Sequence, residues 1–141
     1  MTQPLIRTLR LQHLGLIRQL AELGEALDAR PSEALAEMAG FEKPLLEHLS
    51  LEDGHFYPAL RTLAGEDPDR QDTLAGIRED MVKLREAAEA FFARCRAASD
   101  GPALAEEFRA LAERLRERMA LEETQLYLAY DAIYDPDETL H

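Results

Sequence analysis

At 141 residues, 46% of them apolar and 31% charged, the chain is long enough to close one hydrophobic core and too apolar to stay disordered. A net charge of −12 argues against nucleic acid and anionic membrane surfaces as partners, since both are bound through Lys and Arg. No apolar run nears the ~20 residues of a membrane span and no signal-peptide pattern opens the chain, so a soluble cytoplasmic protein is expected. Cys95 is the single cysteine, which excludes an internal disulfide and suggests a small buried apolar group.

Gly and Pro divide the chain into four long stretches of helical periodicity. Residues 4–28 carry Leu5, Leu9, Leu16, Leu20, Leu23 and Leu27 at helical spacing. After the turn signal around Pro31, residues 32–63 carry Leu35, Met38, Phe41, Leu45, Leu49, Phe56, Leu60 and Leu63. Pro44 and Pro58 fall inside that stretch and are expected to kink or split it. "AGEDPDRQD" is the next break. Residues 72–98 follow, with Ile77, Met81, Leu84, Ala88 and Phe91 inward. "SDGP" stops that helix and starts the last, residues 102–133, with Leu104, Phe108, Leu111, Leu115, Leu126 and Ile133. Nothing alternates as a strand would. The prediction is an all-α, up-down-up-down antiparallel four-helix bundle over residues 1–134, with a flexible C-terminal tail at 135–141.

The chain also repeats itself. A shift of 70 positions lays "HLSLEDGHFYPAL" (48–60) over "RMALEETQLYLAY" (118–130). Leu51, Glu52, Tyr57 and Ala59 recur as Leu121, Glu122, Tyr127 and Ala129, and Asp53 lies over Glu123. The two helical pairs therefore read as halves of a pseudo-twofold bundle.

Polar residues interrupt three of the four apolar stripes, each near the middle of its helix. They are His13 in the first helix, His48 and Glu52 in the second, and Arg118 and Glu122 in the fourth. Antiparallel packing would bring them to one level of the core. Two imidazoles and two carboxylates are the donors that iron, manganese or zinc takes. Taken singly, His13 is as well explained as a satisfied core histidine, and each Glu as a flank residue whose carboxylate reaches water. The convergent set is what speaks for a metal.

With "H13LGLIRQL" followed by "H48LSLEDGHFYP", the sequence resembles the hemerythrin-like, or HHE cation-binding, domain family over about residues 5–130. The H-x-x-x-E-[ED]-x-x-[LF]-[FY]-P block is matched in full at residues 48–58. The resemblance implies a four-helix bundle around a non-haem di-iron centre. In it, His13, His48 and Glu52 take first-half ligand roles and Glu122 the second bridge. The second half departs from the family pattern. Met81, with Arg85 one turn on, stands where the third helix would supply histidine, and Arg118 where the fourth would. The four histidines are His13, His48, His55 and His141, which leaves none for that half. The expectation is at most one divalent metal per chain, iron favoured, for sensing or storage rather than reversible di-iron oxygen carriage. The alternative is a metal-free bundle serving as a protein-interaction or regulatory module, its protein partner unknown.

No catalytic residue is expected. There is no Gly-rich phosphate loop and no C-x-x-C. A histidine phosphotransfer bundle needs an exposed His, whereas His13 and His48 sit in apolar stripes. His55 is expected at the surface, and Tyr57, Tyr127 and Tyr130 as core and rim packing. Arg118 has two readings. It either lies inward, between and neutralising Glu52 and Glu122, or it snorkels to water with Met119 inward instead.

Overall fold

The computed structural model describes residues 2–97 and 101–134. Six α-helices and two short π-helical segments run in the order α1 (Pro4–Ala29), α2 (Pro31–Leu51), the π segment Glu52–Phe56, α3 (Tyr57–Ala64), α4 (Pro68–Ala97), α5 (Gly101–Leu121), the π segment Glu122–Leu126 and α6 (Tyr127–Tyr134). Each π segment joins its flanking helices without a break, so the elements make four rods. Among the described residues there is no strand, and no helix is long and apolar enough to cross a membrane. The tail predicted at 135–141 lies outside the described residues.

Proline opens α1, α2 and α4, where its missing N–H costs nothing and its fixed φ suits the first turn. A single residue, Arg30, turns α1 into α2, and its N–H still bonds to Ala26 O. Gly65 closes α3 at φ +57°, a left-handed conformation that a side chain would strain. The first rod packs on the second and fourth, and the third rod packs on the same two, so neighbours in sequence are neighbours in space. This is the four-helix bundle that the periodicity predicts.

Two expectations need correction. Pro44 does not break α2, which is continuous through it. The carbonyl that Pro44 leaves without a donor is Gly40 O, four residues back, and Gln19 Nε2 of α1 bonds to it at 3.1 Å. The helix starting near residue 72 begins instead at Pro68. Most predicted core positions are buried, with Ile6 added. Leu5, Leu35 and Ile77 are only partly so, and Leu63 is half-buried. Ile133 lies beyond the described side chains. Cys95 is half-buried rather than in the core, yet burial pushes its thiol up to about 11.

Aromatic rings cluster on either side of the mid-bundle polar level. Phe41, Phe92, Phe91 and Phe108 form a chain with centroids 5.7–6.0 Å apart. Phe56 meets Tyr57, Tyr127 and Tyr130 at 5.1–5.5 Å. Large buried rings like these contribute most to core cohesion, and they seal the polar level between them.

Candidate metal centre

Four side chains meet in the sealed middle of the bundle. His13 comes from α1, His48 from the last turn of α2, and Glu52 and Glu122 each open a π segment. Their exposures are 0, 2, 0 and 0%. One donor atom from each lies within 4.8 Å of all the others. His13 Nε2 is 3.1 Å from His48 Nε2 and 3.1 Å from Glu122 Oε1. His48 Nε2 is 3.0 Å from Glu52 Oε1 and 4.0 Å from Glu122 Oε1. Metal–ligand bonds of about 2.1 Å place neighbouring ligands ~3.0–3.4 Å apart, so this spacing suits one ion.

The outer nitrogens fix how the rings present themselves. His48 Nδ1 is 2.7 Å from Gln12 Oε1, which can only accept, so Nδ1 carries the proton and Nε2 turns a lone pair inward. His13 Nδ1 lies 3.3 Å from the half-exposed Glu123 carboxylate, out of line for a hydrogen bond. The Tyr127 hydroxyl has one hydrogen, yet it faces His13 Nε2 at 3.0 Å, Glu52 Oε2 at 3.2 Å and Glu122 Oε1 at 3.4 Å. Glu52 Oε1 is buried with no hydrogen-bond partner. A buried carboxyl oxygen without a hydrogen bond, beside two facing imidazole nitrogens, is costly, and a cation among them would satisfy all three. The residues therefore fit a metal ion.

Burial shapes the charges. It pushes His48 down to about 4, with His13 adding to the shift against an opposing pull from Glu122, so the ring is neutral. Glu52 is held well above the carboxylate range by burial, and by its hydrogen bond and charge contact with Glu122. Burial pushes Glu122 upward too, but hydrogen bonds from Glu52 and His13 and the charge of Arg118 bring it below its usual value. The two carboxyl groups are therefore pushed apart, Glu52 toward its protonated form and Glu122 toward its ionised one. The Tyr127 phenol, raised mainly by burial and then by both carboxylates, stays neutral.

The π segments explain why tyrosines reach this site. In each, an i→i+5 bond ties the Tyr N–H to the Glu carbonyl: Tyr57 to Glu52 and Tyr127 to Glu122. The wider turn brings a residue five positions on nearer to the glutamate's face than an α-helix would. The hydroxyls then cross over: Tyr57 donates to Glu122 Oε2 at 3.0 Å, and Tyr127 lies 3.2 Å from Glu52 Oε2. Both tyrosines pack as expected and also reach the polar cluster, which the sequence reading missed. Their recurrence five residues after each glutamate was the available signal. Gln12 and Glu123 gave none.

Arg118 is inward, at 8% exposure, so it does not snorkel to water, although Met119 is buried beside it. Its Nε lies 3.5 Å from Glu122 Oε2, Nη1 donates to Ile77 O at 3.1 Å, and Nη2 donates to the Tyr57 hydroxyl. It does not sit between the two glutamates with a fork on each. It engages Glu122 and reaches Glu52 through its field. His55 is exposed, on the surface side of the π turn. His141 lies outside the described residues.

The family model for the hemerythrin HHE cation-binding domain matches residues 5–130. No curated protein and no solved structure gave a match. The family match spans the four rods and all four buried donors, and the chain belongs to the hemerythrin HHE cation-binding domain family.

Proposed function

We propose that the protein binds one divalent metal ion per chain, iron by preference, through His13, His48, Glu52 and Glu122, and that it senses or stores the ion rather than catalysing a reaction on it. The observation that carries this reading is the convergence of four buried donor atoms within 4.8 Å, one of them a carboxylate oxygen with no hydrogen-bond partner. Mixed nitrogen and oxygen donors suit borderline divalent metals, and the family resemblance favours iron among them. A bound iron would supply Lewis acidity and a one-electron couple. Gln12 orients His48, Glu123 lies beside His13, and the aromatic rings exclude water. Enclosure on all sides favours retention of the ion over turnover of a substrate. Metal analysis of the purified protein and of protein reconstituted with Fe²⁺ tests this. One equivalent is expected for wild type and near zero for His48→Ala. Two tightly held ions per chain would overturn it.

The second reading, a metal-free interaction module, draws on Arg118. A permanent cation already faces Glu122, so the core has some charge balance of its own. Wild type that folds stably and takes up no metal under reconstitution would favour this reading.

A further inference from the structure

The internal repeat sets two positions side by side. In the first half, His48 stands one turn before Glu52, with Nε2 3.0 Å from the carboxylate. In the second, 70 positions on, Arg118 stands one turn before Glu122, with Nε 3.5 Å from the carboxylate. The Glu122 carboxylate has two differently occupied faces. Oε1 turns to His13 at 3.1 Å, on the side of the four donors. Oε2 turns away, to the Tyr57 hydroxyl at 3.0 Å and to the guanidinium. That guanidinium is held by Ile77 O, by the Tyr57 hydroxyl and over the Tyr57 ring, 5.4 Å from its centroid.

We infer that the core has two cation positions sharing the Glu122 carboxylate, and that Arg118 permanently fills the second with its own charge. The first is open to a metal ion. The second cannot take one, because the guanidinium cannot lose its proton and is tied down on three sides. Two consequences follow. Arg118 keeps the metal-free bundle closed, since Glu122 would otherwise be a buried anion facing water-excluding rings. It also lowers the affinity of the first position, since a fixed positive charge one carboxylate away repels an incoming cation. The first consequence is independent of whether metal binds. The second rests on the metal reading proposed above.

The test uses chelator-treated full-length chain and three variants: Arg118→Leu, Arg118→Lys and Arg118→Leu/Glu122→Gln. Arg118→Leu is expected to lower the Tm of the metal-free protein by about 10 °C. The double variant should recover much of that loss, because it removes the stranded charge. Arg118→Lys should keep most of the wild-type Tm. Titration with Zn²⁺ alone should show Arg118→Leu binding at least about tenfold more tightly than wild type. An unchanged Tm in Arg118→Leu overturns the inference. So does a double variant less stable than Arg118→Leu, or a Lys variant as unstable as Leu, since either assigns Arg118 to packing or hydrogen bonding. If Arg118→Leu does not fold, the double variant and Arg118→Lys still decide. Wild type that binds no Zn²⁺ removes the proposed function and leaves the stability arms standing.

Discussion

The two halves of this bundle share a backbone and differ in what they hold. Residues 31–64 and 101–134 run through the same sequence of α-helix, π segment and α-helix, in register over the repeat. Both π segments open on a buried glutamate and end before a tyrosine that crosses to the other half's carboxylate. The side chains around them differ: His48 in one half, Arg118 in the other. The backbone irregularity recurs where the side-chain chemistry does not. The π turn therefore belongs to the placing of glutamate and tyrosine together, independently of which cation faces them.

The difference also makes two identical residues unlike. Glu52, beside neutral imidazole, is pushed toward its protonated form, whereas Glu122, beside a guanidinium, is pushed toward its ionised one. The sharpest way to break the comparison is to make both neutral in turn. In the metal-free protein, Glu122→Gln strands Arg118 and is expected to cost about 3–5 kcal/mol. Glu52→Gln replaces a group that is already uncharged and should cost less than ~1 kcal/mol. Urea unfolding of the two variants measures the difference, and equal losses would show that the carboxylates share their charge evenly.

A smaller effect lies in pH. His48 has a folded pKa lowered from 6.5 to about 4. Its contribution is complete above the unfolded value and is lost as pH falls through the interval. Glu52 is shifted the other way, so its contribution is present at low pH and is lost as pH rises through its folded value. In the metal-free wild type the two slopes oppose each other. Glu52→Gln removes one of them, and the variant should then gain roughly 2 kcal/mol between about pH 5 and pH 6.5. A variant whose stability is flat over that interval would show that His48 is not held neutral.

The smallest expected effect concerns Pro58, two residues past the end of the first π segment. Its counterpart in the second half is Leu128, and the π segment there is the same length. Proline is therefore not what makes the turn. Pro58→Ala should leave metal binding unchanged and shift stability by less than ~1 kcal/mol, measured by metal titration and thermal unfolding. Loss of metal binding would tie the first π turn to its proline after all.

Periodicity, punctuation by Gly and Pro, and the 70-residue repeat were enough to read four helices and their order. Apolar side chains at helical spacing can be buried in few ways. The same stripes exposed His13, His48, Glu52, Arg118 and Glu122 as a set, because a polar residue in a buried stripe must find partners in the core. What depended on more than one helix was not legible. Gln19 rescues a carbonyl that a proline in another helix leaves free, and Gln12 orients a histidine 36 residues away. The tyrosines were counted as packing because α-helical spacing puts a residue five positions on well away from its glutamate, and only the π turn brings it back. Spacing left Arg118 open between water and a place between both carboxylates, and it meets Glu122 alone. That choice rested on where Tyr57 and Ile77 O held the guanidinium. Local pattern is written in one helix at a time, whereas the partners of a buried charge are decided only when four helices close on it.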